Sequence, residues 1–406
     1  MNILVFNCGS SSLNFKVYRP ASGSRGEIIC YGKAHRVGVK GTQPSFLECH
    51  ANSKDEKMVT PISDHRTAGI LVMEYLRRNG IDFDLIGHRF VHGGSLFSAS
   101  IWITADNIAS IRDCLPLAPI HNPNSYIVFE VCREFHPQKP QYLTFDTAFH
   151  SDLPESAYTY ALPVDIQERS HFRKYGFHGL SYQYVSHAAA KFLARPVEDL
   201  KIIACHLGTG GSSVAAIRNG RSVDTSMGYT PLAGLMMSTR TGDLDAAAIL
   251  DILENDRYDP ASLNDLFNKK SGLLGVSGVS SDIRDIQEII GKSGDPSAKL
   301  AYDLYCYRLK KQIGAYMMLL EGVDVLIFTD DIGVQNNQVR QSVCRDMEWC
   351  GIHLDDAKNV STKPGGINRI EQDGAKTIIL AMPTDEEGVI ADEGLKLWTG
   401  GSNVRH

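Results

Sequence analysis

Two loops of small residues give this sequence its clearest potential for chemistry. The first spans residues 7–12 (Asn-Cys-Gly-Ser-Ser-Ser), and the second spans residues 208–213 (Gly-Thr-Gly-Gly-Ser-Ser). Backbone N–H groups and hydroxyls in such a loop can converge on the oxygens of one phosphate. Either loop alone would equally fit a plain hairpin turn, but two loops in matching positions favour phosphate binding.

Charged side chains lie in other segments that are rich in glycine or small residues. Arg89 lies in the apolar and glycine-containing stretch 87–94, where a guanidinium needs an anionic partner. Arg240 is similar, although a local ion pair with Asp243 would also account for it. Further candidates, each of which is more easily structural when taken singly, are Asp146, His121, His178, His206, Asp282 and Arg284.

The two small-residue loops share one local plan, which consists of an apolar strand, a turn and a second strand. The plan occupies residues 3–17 and recurs at residues 202–220. This spacing predicts an internal duplication of about 200 residues. We therefore expect two similar domains that face a cleft.

Hydrophobic periodicity predicts helices around these strands. Apolar residues recur on one helical face over residues 67–78, after Asp64, and over residues 302–320. Residues 323–328 have the pattern of a buried strand, and residues 292–297 have that of a surface loop. Alternating strands and helices indicate the α/β class, with sheets covered by helices.

Length, composition and charge narrow the possible functions. A chain of 406 residues that is 43% hydrophobic and 22% charged suits about two or three globular cores. Lys and Arg number 41 against 47 Asp and Glu, a formal net charge of −6, so no basic excess is available for nucleic acid. No apolar run approaches the roughly 20 residues of a membrane helix, and the N-terminus lacks a basic leader. We expect a cytoplasmic protein with no membrane or nucleic acid partner.

Several familiar motifs are excluded. Residues 291–293 (Gly-Lys-Ser) resemble the end of a P-loop, but Ile286 occupies the position of its first glycine. The nine cysteines are scattered without a Cys-x-x-Cys pair, which argues against a disulfide framework or a zinc site. Cys8, inside the first loop, fits a small buried residue better than a reactive thiol.

Taken together, these segments resemble the acetate kinase family in sequence and in order. The resemblance extends from residue 3 to about residue 391. It is carried by residues 7–12, 87–89, 118–123, 145–150, 175–179, 206–210, 224–232 and 280–285.

The resemblance implies a fold and a reaction. The family has two duplicated ribonuclease-H-like domains around a central cleft, as in sugar kinases, actin and heat-shock ATPases. By this resemblance the N-terminal domain spans residues 1–148 and is completed by residues 384–406, and residues 149–383 form a second domain with the nucleotide-binding loops. The implied reaction is reversible phosphoryl transfer between ATP and acetate, giving ADP and acetyl phosphate, with Mg²⁺ and in a homodimer.

The resemblance also implies roles for single residues. Arg89 and Arg240 would hold the carboxylate and the transferring phosphoryl group, His178 would donate a hydrogen bond to that group, and Asp146 would orient the substrate side or the arginines. Oxygen ligands suit Mg²⁺. The positions that match the metal ligands are Asn7 and Glu386.

Two further sets of positions match binding residues of the family. An apolar pocket for the alkyl group of the acid would discriminate by only about 1–3 kcal/mol per methylene. The pocket set is Val91, Ile120, Phe177 and Pro231, beside Arg89. The nucleotide and phosphate set is Ser10, Ser12, Asn14, His206, Gly208, Thr209, Gly210, Asp282, Ile283, Arg284, Asp331, Ile332, Gly333 and Gln335.

The chain departs from the family pattern at four positions. Asn14 replaces a lysine, Thr209 replaces an asparagine, and Gly388 replaces an apolar residue. Asp331, which follows Asp330, stands where a glycine lets the backbone approach the nucleotide. A carboxylate there would repel a phosphate by up to about 4 kcal/mol at close range.

These departures leave three hypotheses open. The first is an acetate kinase that uses ATP. The second is a carboxylate kinase for a longer acid, such as propionate or butyrate, or one with another phosphoryl donor, such as pyrophosphate or inorganic phosphate. The third is a relative that binds ligand without turnover.

Overall fold

The chain falls into two compact units. The computed structural model describes residues 1–21, 24–39, 41, 43–51, 54–256 and 258–400. The first unit comprises Met1–Phe149 and the chain from Asp385 onward, and the second unit comprises His150–Thr384. No helix among the described residues is both long enough and apolar enough to span a membrane.

Both units are mixed: the first begins with five consecutive strands, and in the second three strands are followed by five α-helices. The strands are β1 Ile3–Cys8, β2 Ser12–Ala21, β3 Ser24–His35, β4 Phe46–Ala51, β5 Lys54–Val59, β6 Leu85–Phe90, β7 Ile101–Trp102, β8 Gln141–Phe145, β9 Lys201–Gly208, β10 Gly211–Arg218, β11 Arg221–Thr225, β12 Val325–Thr329, β13 Asn368–Arg369 and β14 Ile378–Ala381. The α-helices are α1 His65–Arg78, α2 Ile108–Asp113, α3 Asn122–Phe135, α4 Glu155–Tyr158, α5 Val164–Ser170, α6 Gly179–Phe192, α7 Ala246–Asn255, α8 Pro260–Lys269, α9 Gly272–Ser277, α10 Ile283–Ser293, α11 Pro296–Leu319, α12 Asp330–Gln335, α13 Asn337–Cys344, α14 Asp356–Val360 and α15 Glu386–Gly400. Short 3₁₀ helices occupy Leu115–Leu117, Ala148–His150, Val197–Asp199 and Glu348–Cys350.

The first unit contains a mixed sheet in the order β5-β4-β3-β2-β1-β6-β8-β7. β1 pairs antiparallel with β2 and parallel with β6, and β6 pairs parallel with β8. Parallel strands end at the same edge of a sheet. Arg89, near the end of β6, and Asp146, directly after β8, therefore reach the same edge.

The second unit repeats this plan in a sheet of order β11-β10-β9-β12-β14-β13. Here β9 pairs antiparallel with β10 and parallel with β12, and β12 pairs parallel with β14. The series β3-β2-β1-β6-β8 of the first unit thus matches β11-β10-β9-β12-β14 in order and direction. The predicted duplication is confirmed, with a ribonuclease-H-like strand order in both units.

Helices cover the sheets of both units. In the first unit, Leu13, Phe15 and Val17 alternate along β2 and pack with α1 and α3 in one core. In the second unit, Tyr305 and Leu309 of α11 pack on the apolar side chains of β9, β10 and β12. Each large side chain buried in this way contributes about 1.5–3 kcal/mol.

One predicted boundary is wrong. The segment 292–297, expected as a surface loop, is mostly helical, because α10 continues to Ser293 and α11 begins at Pro296. Gly294 ends α10 in a left-handed conformation (φ 65°), and the Asp295 side chain caps α11 by accepting the N–H of Ala298. Two helix ends meet within two residues, so polar turn residues mark a junction here and not a loop.

The C-terminal helix α15 is anchored to the first unit by Tyr142. The hydroxyl of Tyr142 donates to the carbonyl of Ile390 (2.8 Å). Its ring lies against Gly87 and Gly394, where a Cβ at either glycine would overlap the ring. This packing fixes α15, and with it Glu386 at the first turn of the helix.

We expect Gly394→Ala to destabilise the protein even though alanine favours helices over glycine by about 1 kcal/mol. The added methyl group would overpack the ring of Tyr142, at a cost of about 1–3 kcal/mol. Gly314→Ala in α11, where a Cβ meets no atom within 4 Å, is the matched control and should stabilise. Urea denaturation of both variants measures the difference, and equal gains in stability would contradict close packing at Gly394.

Candidate active site

In the first unit, Arg89 and Asp146 form a buried ion pair. Nε of Arg89 donates to Oδ1 of Asp146 (2.8 Å), and Nη2 donates to Oδ2 (2.5 Å). The Asp146 side chain is only 1% exposed. Burial by itself would lower the pKa of Arg89, but the carboxylates of Asp146 and Glu386 overcome it and raise the pKa above its ordinary value. Asp146 therefore fixes the plane and the charge of the guanidinium.

Asn7 connects this pair to the first turn of α15. Its amide oxygen accepts a hydrogen bond from Nη1 of Arg89 (3.0 Å). Its amide nitrogen donates to Oε2 of Glu386 (3.2 Å) and to Oε1 of Glu387 (3.0 Å). The helix N-terminus favours both carboxylates. The two residues predicted as metal ligands, Asn7 and Glu386, are thus brought together.

The surroundings of Asn7 suit a hard cation. Amide and carboxylate oxygens are the ligands that Mg²⁺ prefers, together with water. The cluster contains four carboxylates and three cations, which leaves one negative charge in excess: Asp146, Asp385, Glu386 and Glu387 against Lys16, Arg25 and Arg89. No group of three His, Cys, Asp or Glu side chains within the described ranges is arranged to hold an ion without other ligands. A site built on Asn7 and Glu386 would therefore be completed by water and substrate.

Lys16 supplies a cation close to Asn14, the position where the family pattern has a lysine. Its ammonium lies 2.8 Å from Oδ1 of Asp385 and 3.3 Å from Oε2 of Glu387. Residues 14 and 16 share a face of β2 because strand side chains alternate. The amide of Asn14 also donates to Glu387 (3.4 Å). A cation therefore lies on this face of β2 although residue 14 is not a lysine.

Gly388, the apolar-to-glycine departure, leaves space for Arg25. A Cβ at Gly388 would overlap the guanidinium of Arg25, which pairs with Asp385 (3.0 Å). The loss of an apolar side chain is therefore matched by a cation.

The first small-residue loop is a tight hairpin between β1 and β2. The N–H of Gly9 donates to the carbonyl of Ser12 (2.9 Å), while Ser10 stays exposed at the turn. Nε2 of His65, at the start of α1, lies 2.9 Å from the carbonyl oxygen of Gly9. The Cys8 thiol is buried, and burial raises its pKa to about 12, as expected for a packing residue.

In the second unit, His178 lies directly before α6 in a left-handed conformation (φ 59°). Its Nδ1 is 2.8 Å from the hydroxyl oxygen of Ser213, which also contacts the hydroxyl of Tyr182 (2.5 Å). Its ring stacks on His206, with ring centroids 4.0 Å apart. Left-handed non-glycine residues cluster at functional sites, and His178 is held from two sides in such a conformation.

Arg240 is half-buried without an acidic partner. Its Nη1 donates to the carbonyl of Pro231 (3.2 Å), and no carboxylate in the described part of the chain pairs with it. The ion pair with Asp243 does not form, because Asp243 accepts the N–H of Gly234 instead (2.7 Å). Burial lowers the pKa of Arg240. The guanidinium is therefore available to an anionic ligand.

Gly211 brings Arg240 and His178 to one place. A Cβ built at Gly211 would lie 3.3 Å from Nη1 of Arg240 and 3.6 Å from Nε2 of His178. A guanidinium and an imidazole at this spacing can both donate to one tetrahedral anion. The arrangement has the chemistry of a phosphoryl-binding site.

The second small-residue loop, between β9 and β10, is held by Asp331. The carboxylate accepts the N–H of Thr209 (2.9 Å) and also the Thr209 hydroxyl. The carbonyl of Thr209 in turn accepts from the hydroxyl of Ser238 (2.8 Å). The backbone N–H of Thr209, between Gly208 and Gly210, is predicted to donate to a phosphate. In the structure it donates to the carboxylate of Asp331 instead.

Other residues predicted to bind nucleotide are placed differently. Asp282 caps α10 and pairs with Arg284 (2.5 Å), so each of these two predicted binding residues has a local partner. Ile283 is wholly buried in the core of the second unit, so its side chain packs and offers no surface to a ligand. The remaining positions lie on α12, with Ile332 and Gly333 buried and Gln335 exposed.

Helix α12 is clamped at its end by a fully buried arginine, Arg340. Nη1 of Arg340 donates to the carbonyls of Gly333 (2.8 Å) and Val334 (2.7 Å), and Nε donates to Asn359 (2.7 Å). These bonds satisfy carbonyls that a helix end leaves unpaired.

The four residues predicted for the alkyl pocket fall in both units. Val91 and Ile120 belong to the first unit, where Val91 is buried and Ile120 is 50% exposed. Phe177 and Pro231 belong to the second unit, where Phe177 is buried and Pro231 is half-buried. Phe177 directly precedes His178, and the carbonyl of Pro231 accepts a hydrogen bond from Arg240. Both residues are therefore next to the pair Arg240 and His178.

Sequence reasoning missed four side chains of these clusters. Glu387 and Lys16 contact the Asn7 cluster, and Tyr182 and Ser181 support the histidines. The sequence spacing could have identified two of them. Lys16 is two residues after Asn14 and so lies on the same face of a strand, and Tyr182 is four residues after His178 and so lies on the same face of a helix.

The chain matches the family model described as the Acetokinase family over residues 2–392. It is 44% identical to the acetate kinase of Caldicellulosiruptor bescii over 98% of this chain and 99% of that one. The crystal structure of acetate kinase from Entamoeba histolytica is 42% identical, with a TM-score of 0.88 over 98% of this chain and 100% of that one. A propionate kinase structure from Francisella tularensis is 33% identical, with a TM-score of 0.87 over 97% and 98%. The predicted α/β fold class is thereby confirmed.

We expect Gly211→Ala to weaken the binding of inorganic phosphate by about tenfold or more, because the methyl group would enter the space beside Arg240 and His178. Phosphate titrations followed by calorimetry measure the change. Gly366→Ala, where a Cβ meets no atom within 4 Å, is the control and should bind as the wild type does. Unchanged binding in Gly211→Ala would remove this space from the anion site.

Proposed function

The chain belongs to the acetokinase family, and from this premise we propose that it is an acetate kinase. The reaction would be reversible transfer of a phosphoryl group between ATP and acetate, giving ADP and acetyl phosphate. The observation that carries the proposal is Arg240, a half-buried guanidinium that lies beside His178 and that pairs with no carboxylate of the described residues. Such a pair suits a phosphoryl group that moves between two oxygens.

Phosphoryl transfer depends on alignment and on cancelling the charge that spreads over the equatorial oxygens. We assign that cancellation to Arg240, and an arginine in this role contributes on the order of 10³ to 10⁵ in rate. His178 would donate through Nε2, since its Nδ1 is bonded to Ser213. The second unit would therefore bind the donor and the transferring group.

We assign the acid and the metal to the first unit. Arg89 is held by Asp146 and Asn7, so its orientation is set before substrate binds. It would pair with the carboxylate of acetate, which attacks through one oxygen. Mg²⁺, when bound, would neutralise charge on the donor phosphates, and Asn7 and Glu386 would hold it.

The acid pocket would consist of Val91, Ile120, Phe177 and Pro231. An apolar pocket of this kind discriminates by only about 1–3 kcal/mol per methylene. A longer acid such as propionate is therefore a substrate to test, and one similar structure is named a propionate kinase. A homodimer in the cytoplasm belongs to the same proposal.

A second candidate function differs in the phosphoryl donor. Asp331 takes the N–H and the hydroxyl of Thr209, which a nucleotide phosphate would otherwise use. Its carboxylate would also repel that phosphate. This observation favours a smaller donor, pyrophosphate, over ATP.

Acyl hydroxamate formation tests both candidates. Acetate, propionate and butyrate are each incubated with Mg²⁺ and with ATP, GTP or pyrophosphate, and hydroxylamine traps the acyl phosphate. The proposal predicts hydroxamate from acetate and ATP. Product with pyrophosphate but not with ATP would support the second candidate, and no product with any pair would contradict both.

Asp331→Gly separates the two candidates further. If the carboxylate limits nucleotide binding, its removal lowers the KM for ATP and leaves the KM for acetate unchanged. An unchanged KM for ATP would show that Asp331 does not restrict the donor.

A further inference from the structure

Asp330 has a costly backbone conformation next to the histidine pair of the second unit. Its φ is +65°, a left-handed value that is uncommon for residues with a Cβ. It follows β12 directly and begins α12. Oδ2 of Asp330 lies 3.1 Å from Nε2 of His206.

Gly208 makes this contact possible. A Cβ at Gly208 would overlap Oδ2 of Asp330, so only glycine lets the carboxylate reach His206 across β9. A left-handed residue and a glycine, 122 positions apart in the chain, both serve one hydrogen bond. A simple turn at residue 330 would need neither the carboxylate of Asp330 nor the space left by the missing side chain of Gly208.

The bond to Asp330 fixes the tautomer and the ring plane of His206. His206 is buried, and its Nδ1 lies 2.9 Å from the hydroxyl oxygen of Ser181. With Nε2–H donating to the carboxylate, Nδ1 accepts the hydroxyl hydrogen of Ser181. The imidazole is therefore bonded at both nitrogens.

His206 in turn supports His178. The two rings stack at 4.0 Å with an interplanar angle of 27°. Ser213, which bonds Nδ1 of His178, lies opposite His206 in the β9–β10 register. Nε2 of His178 remains beside Gly211 and Arg240. A tilt of His206 would therefore turn the nitrogen that faces the anion site.

We propose that Asp330 is a positioning residue for phosphoryl transfer, which acts through the stacked rings of His206 and His178 to aim Nε2 of His178 at the transferring group. The inference rests on the proposed function for its kinetic consequence. The coupling of Asp330 to the two imidazoles does not depend on the proposed function and can be measured without turnover.

Asp330→Gly tests the proposal because glycine accepts the left-handed backbone without strain. We expect the thermal midpoint to stay the same or rise while kcat falls about tenfold, the lower end of what partners of functional histidines contribute. The KM for the acid should not change. Asp346→Gly is the matched control, since Asp346 is an exposed aspartate with φ +58° in the same unit, and its kcat should equal that of the wild type.

Asp330→Asn tests whether orientation is the cause. The amide oxygen can still accept from Nε2 of His206, so most of the lost kcat should return. An Asn variant as slow as the Gly variant, or a Gly variant as fast as the wild type, would overturn the proposal.

Imidazole ¹⁵N spectra provide a readout that does not depend on activity. In Asp330→Gly the signals of both His206 and His178 should shift, and in Asp346→Gly neither should. A shift in both signals supports the coupling of Asp330 to the two imidazoles, whether or not the wild type is an active kinase. Absence of kinase activity in the wild type would count against the proposed function and not against this coupling. If the His178 signals do not shift in Asp330→Gly, the inference is overturned, whether or not the enzyme is active.

Discussion

A guanidinium that is taken out of water needs compensating partners, and Arg89 and Arg240 obtain them in opposite ways. Arg89 receives the carboxylate of Asp146 from its own unit, in a pair that is bonded at two nitrogens. Among the described residues, the guanidinium of Arg240 donates only to the carbonyl of Pro231 and to the sulfur of Met237. A charge taken from water without a partner destabilises the free protein. Under the proposed function, the phosphoryl group would supply the anionic partner of Arg240.

The duplicated fold determines where such groups can lie. In both units a hairpin and two parallel strands end at one edge, and the loops at that edge carry the polar side chains. In the first unit this edge holds Arg89, Asp146 and Asn7, while α15 adds carboxylates through the packing of Tyr142. In the second unit the corresponding loop is held by Asp331 at the end of β12. The same backbone plan therefore presents an acidic oxygen cluster in one unit and a donor-rich loop in the other.

Much of the fold could be predicted from the sequence, because small-residue turns between apolar strands repeat at two places and helical periodicity is strong. Residue types at the site could also be predicted, but their partners could not. Whether Arg240 pairs with Asp243 depends on a loop conformation that brings Asp243 to a backbone N–H instead. The contact of Asp330 with His206 joins the start of α12 to β9, which are far apart in sequence, and depends on a left-handed residue. Side-chain direction and strand pairing, which three-dimensional packing decides, account for these differences.

The stability and activity of Arg240→Met, measured together, test the account most directly. Replacing an unpaired buried charge by an apolar side chain of similar length is often neutral or stabilising. The account predicts a thermal midpoint equal to or above that of the wild type without ligand, no further rise on adding phosphate, and loss of acyl phosphate formation. A lower midpoint together with intact phosphate binding and turnover would show that Arg240 is structural, and would contradict the account.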